Sequence, residues 1–166
     1  MSDRLIIALV GAAIGWVLSW HRFRVAENAN LISDHIADME RLADALRIHW
    51  TTSFADTDVS EHKSEIAKVR ALYTSIPSFY GVAELTLGTE RFRQYQMHQL
   101  KLLKVGLGGD FDSLNRDLSE ATAVDSQHIA WDIIQNLRTA RREQYSLRAI
   151  YRSMFLSRKA PRKQHS

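Results

Sequence analysis

The chain has 166 residues, seven glycines, two prolines, no cysteine and a net charge of +3. This length leaves one domain of roughly 140 residues beyond any membrane segment, enough for a core of its own. The lack of cysteine excludes a disulfide framework and a thiol nucleophile and agrees with a reducing compartment, while plentiful aliphatic and charged residues with little β-branched alternation favour an all-α body.

The first predicted element is residues 5–20, LIIALVGAAIGWVLSW, sixteen positions with no charge and only Ser19 as a polar group. As a helix it extends about 24 Å against a hydrocarbon core of about 30 Å. Trp16 and Trp20 suit an interface belt, and Arg4, Arg22 and Arg24 can reach headgroups. A cleaved signal peptide fits poorly, because the start is Met-Ser-Asp-Arg and the segment runs straight into Trp20-His21-Arg22-Phe23-Arg24. A core helix of a soluble domain explains the length but not the charge-free circumference. The expectation is a single-pass anchor with its flanks over residues 1–24. Arg22 and Arg24, with no acid until Glu27, favour an N-terminus outside and a body in the cytoplasm. Ala8, Gly11, Ala12, Gly15 and Ser19 form a small-residue face, including a GxxxG pair, of the kind that lets membrane helices approach closely. A ring of such helices would line a narrow, uncharged pore gated by packing or dewetting.

Ile32, Ile36, Met39, Ala43, Leu46 and Trp50 follow at spacings of 4, 3, 4, 3 and 4, a helical stripe of coiled-coil type. With no glycine or proline between Val17 and Trp50, one helix can run from the membrane to about residue 52, Asn28 and Asn30 being its weakest point. Residues 51–59 read as a loop, with Asp58 and Glu61 as a capping box. The next helix carries Ile66, Val69, Tyr73 and Ile76 on one face and ends at Pro77. A short helix is expected within residues 78–88. A stronger one runs from Thr89 to about Val105 with Phe92, Tyr95, Leu102 and Leu103 inward, broken by Gly106, Gly108 and Gly109. A brief helix around residues 112–121 comes next. Asp125 is the expected N-cap of a long final helix to about Ser157, its stripe formed by Ala130, Ile133, Ile134, Leu137, Ala140, Gln144, Leu147, Tyr151 and Met154. Residues 25–157 thus make a helical bundle with long first and last helices, and residues 158–166 a basic disordered tail.

Charge is unevenly placed. Residues 25–137 hold ten basic and seventeen acidic side chains, a net of −7, whereas residues 138–166 hold nine basic against Glu143 alone, a net of +8. Such a division suggests self-contact or an anionic partner. Arg138, Arg141, Tyr145, Arg148 and Arg152 recur at 3, 4, 3 and 4, with Arg142 beside them. Arginine takes phosphate bidentately and a tyrosine can stack a base, so these are candidate ligands for a nucleotide or single-stranded oligonucleotide. Two other readings stay open: pairing with acids such as Asp34, Asp38, Glu40 and Asp44, within or between subunits, and attraction to anionic membrane lipid.

Other chemistry is thin. KVGLGGD at residues 104–110 lacks the lysine-plus-hydroxyl ending of a phosphate loop and reads as a helix C-cap. His35 with Asp38, and Asp125 with His128, each set two metal-ligand types one turn apart, but the glutamate partners of a four-helix metal site are missing, and a solvated face explains them. No serine is tied by spacing to a histidine and an acid. The expectation is a non-enzyme without metal or cofactor.

In layout, residues 5–20 with their GAAIG and the stripe from Arg138 to Arg152 resemble the small helical transmembrane effectors of bacterial anti-phage defence, of which the Hailong type is one example. The resemblance implies a homo-oligomeric ion channel that depolarises the membrane under control of a nucleotide or oligonucleotide, with no catalytic residues. A passive membrane-tethered scaffold that binds a partner protein through its heptad faces is the alternative.

Overall fold

The structure, a computed structural model, describes residues 2–53, 59–113 and 117–144. Within them the chain forms α1 (Ser2–Thr51), α2 (Val59–Ser75), a 3-10 turn (Ile76–Phe79), α3 (Tyr80–Leu87), α4 (Thr89–Gly106) and α5 (Glu120–Gln144), with no strand among the described residues. The all-α expectation holds. The proposed capping box at Asp58 and the final helix beyond Gln144 fall outside the described residues.

The chain divides into two units. One covers Ile32–Ala140, and the other takes in the residues up to Leu31 together with those from Arg141 on. Helix α1 passes Asn28 and Asn30 without a break, as expected of a stretch free of glycine and proline.

The Ile32–Ala140 unit has one apolar core, to which every element contributes. Ile32, Ile36, Met39, Leu46 and Trp50 are buried as their spacing predicts, and Leu42 and Ala45 widen the stripe. Val69 fills the core from α2, Tyr95 and Leu102 from α4, and Ile129, Ile133 and Leu137 from α5. The residue before Pro77 is pushed away from helical geometry, and α2 accordingly gives way to the 3-10 turn. Gly88 adopts a φ of 77°, which only glycine takes freely, and reverses the chain between α3 and α4. Gly106 closes α4 against α1: a Cβ there would lie 2.9 Å from Leu46 Cδ1, and its carbonyl accepts a 3.0 Å hydrogen bond from Trp50 Nε1–H. The glycine-rich stretch is therefore a helix end, in agreement with its sequence.

Two expectations are corrected. No helix occupies the described part of residues 112–121 ahead of α5; Asp112 lies in a turn and residues 117–119 are irregular. Asp125 does not cap the last helix, because α5 already begins at Glu120. Ser119 does so instead, its Oγ accepting from the Thr122 N–H at 3.1 Å. The Ser119 N–H itself donates to the Trp50 carbonyl at 3.1 Å, tying the start of α5 to the end of α1.

Candidate functional site

The apolar segment of α1 is built from leucine, isoleucine, valine, alanine and glycine, which keep helical geometry while offering no polar side chain. Every residue from 4 to 20 is exposed, with Ile7 at 71 % and Trp16 at 70 %. The helix is long and apolar enough to cross a membrane. Burial of residues 5–20 as a core helix of this chain, the soluble alternative, is not what the structure contains. At the end of the segment the Arg24 guanidinium lies 4.9 Å from the Trp20 ring centroid, a cation–π contact that sets an indole and a cation together where an interface would hold both. Ala8, Gly11, Ala12, Gly15 and Ser19 are all exposed, and a Cβ added at Gly11 or Gly15 would meet nothing within 4 Å.

Of the candidate anion ligands, Arg138, Arg141 and Arg142 are described; Tyr145, Arg148 and Arg152 lie outside the described residues. Arg141 and Arg142 are exposed in the last turn of α5. Arg138 is engaged within the Ile32–Ala140 unit: it donates to Glu40 Oε1 at 3.1 Å, and its guanidinium stands 5.1 Å from the centroid of Trp131. At this position the acid-pairing alternative is the geometry found, through Glu40 of the acids considered.

Glu40 and Trp131 also line an open groove of about 440 Å³ between α1 and α5, together with Ala43, Asp44, Gln127, His128, Ala130 and Ile134. Ala43 and Ala130 are the small residues of its lining. Asp125 and His128 are exposed on α5, and no group of three or more metal-ligating side chains occurs among the described residues.

His35 corrects the expectation of a solvated face. It is 5 % exposed, stacks on Phe79 with ring centroids 4.3 Å apart, and contacts the Tyr95 hydroxyl through Nε2 at 2.5 Å. The Gln99 amide donates to that same hydroxyl oxygen, and Tyr80 O–H donates to Gln99 Oε1. The Tyr95 hydroxyl thus joins the Gln99 amide and His35 Nε2 in one buried hydrogen-bonded chain. Burial pushes the His35 pKa down to about 4 and the Tyr95 and Tyr80 phenols up, because each charged form would lose its water. His49 is likewise buried and donates from Nε2–H to the Phe111 carbonyl at 3.1 Å. Sequence reasoning missed this polar seam. Its signal was present: His35, Leu42 and His49 sit seven apart beside the apolar stripe.

Comparisons of the chain with protein-family models, with curated proteins and with solved structures find no match.

Proposed function

We propose that the protein is a homo-oligomeric, single-pass membrane effector of the bacterial inner membrane, with its helical body in the cytoplasm and its anchors gathered into an ion-conducting pore. The observation that carries this reading is the wholly exposed apolar face of residues 5–20, in which the small residues Ala8, Gly11, Ala12, Gly15 and Ser19 have no packing partner from the described chain. Water is a poor solvent for such a surface, whereas lipid together with a second small-residue helix covers it fully. An anionic nucleotide or oligonucleotide held by Arg138, Arg141, Arg142, Tyr145, Arg148 and Arg152 would control the pore, which would fit a role in antiviral defence. No catalytic chemistry is assigned.

A second reading, a membrane-tethered scaffold for a partner protein, is favoured by Arg138, whose charge is already met by Glu40 and Trp131. Membrane potential in bacteria induced to express the chain separates the two. Depolarisation that is lost in Gly15→Leu and on deletion of residues 1–20 is expected for the pore. A potential unchanged at good expression, and unchanged on adding nucleotides and oligonucleotides to the protein in liposomes, leaves the scaffold.

A further inference from the structure

We propose that the groove between α1 and α5 binds the basic segment 145–163 of a second copy of this chain. The groove is lined by the apolar Ala43, Ala130 and Ile134, by two carboxylates, Glu40 and Asp44, and by the indole of Trp131. Trp131 is 53 % exposed, a large aromatic surface left open beside those carboxylates. That this lining accepts a guanidinium is seen directly, since Arg138 is bound to Glu40 and stands over Trp131. Asp44 lies one helical turn from Glu40, and its own contact with Arg47 is 3.8 Å, beyond hydrogen-bond length. Its carboxylate is 69 % exposed and can meet a second cation beside Arg47.

The chemistry of the occupant follows. It must bring cations at short intervals for the carboxylates and apolar groups for the apolar lining. Residues 145–163 hold six basic side chains and no acidic one, with Leu147, Ile150, Met154 and Phe155 interleaved. The charge of this segment is also the counterpart of the net −7 carried by residues 25–137. Attraction of this kind sets partner choice and weakens as salt screens it. The proposal requires self-association, which the pore reading also requires, but it does not require a pore.

The test uses the full chain in membranes. Two differently tagged copies are expressed in separate cultures, one carrying a photoreactive benzoylphenylalanine in place of Trp131 and the other labelled with heavy isotopes, then mixed in detergent and reconstituted together in liposomes. Illumination is expected to give a cross-linked pair in which the attached peptide comes from residues 145–163 of the heavy copy. Glu40→Lys with Asp44→Lys in the photoreactive copy should lower that yield about tenfold, through lost ion pairs and added repulsion. Arg148→Glu with Arg152→Glu in the heavy copy should restore it, which a merely misfolded groove would not allow. Cross-links confined to one copy, to lipid or to another protein overturn the proposal. So does the absence of any cross-link, or a yield indifferent to the charge exchange. Loss of the cross-link with depolarisation intact removes this interface alone, and the reverse result removes the pore alone.

Discussion

His35 is placed where a histidine must remain neutral. Its reference value is 6.5, and in the folded chain it titrates at about 4. Between those values the unfolded chain takes up a proton that the folded chain refuses, so this residue's contribution to stability is fully present above pH 6.5 and falls as the pH drops toward 4. The whole span corresponds to roughly 3 kcal/mol. Carboxylates also titrate in this range, so the measurement is a difference. Urea unfolding of the wild type and of His35→Leu, each at pH 7 and pH 4.5, should show the wild type losing about 2 to 3 kcal/mol more on acidification. Equal losses would mean that the folded chain protonates His35 freely. Leu42 and His49 lie seven and fourteen positions on from His35, the same heptad place. Reading every histidine as polar hid that register. Its hydrogen-bond partner Tyr95, and Gln99 bonded in turn to Tyr95, lie on α4 sixty or more residues away, and no local pattern announces them.

Among the elements, α1 and α5 were the most legible, because their apolar spacing is long and regular and their interiors lack glycine and proline. The start of α5 was misread for a physical reason. Asp125 and Ser119 are both good N-cap residues, and the choice between them was settled by tertiary contact: the Ser119 N–H reaches the Trp50 carbonyl while its Oγ accepts from Thr122. Ser119→Ala should therefore lower stability by about 1 kcal/mol in denaturant unfolding, and Ser119→Asp should retain most of it. Asp125→Ala, on an exposed face inside the helix, should change stability by less than about 0.5 kcal/mol. If the Asp125 variant proved the more damaging, the cap would belong there. The groove was not legible at all. Its lining comes from two helices, with Ala43 and Ala130 about ninety residues apart, and small residues within an apolar stripe carry no mark of what they will face.

For the whole molecule, Arg138 divides the two functional readings. Its pair with Glu40 is partly exposed, 37 % and 50 % for the two side chains, so removing it should change stability by at most about 1 kcal/mol. Under the effector reading Arg138→Gln should nevertheless weaken binding of a short single-stranded oligonucleotide to the liposome-held protein and flatten its salt dependence by about one phosphate contact. Binding that is absent, or indifferent to the change, would return Arg138 to the bundle as a structural residue. An anionic ligand and the acidic groove are on this view rival partners for one set of arginines, so saturating oligonucleotide should release the trans contact at Trp131. The chain from Tyr80 through Gln99 and Tyr95 to His35 offers a separate readout that needs no ligand. Tyr95 is wholly buried and its hydroxyl proton lies within the hydrogen-bonded cluster with His35 and Gln99. That proton can exchange with deuterium only when the bundle opens around it. Its lifetime is thus a clock set by the core alone, and timing it with the anchor in lipid and with the anchor deleted would tell how much of the body's endurance the membrane supplies.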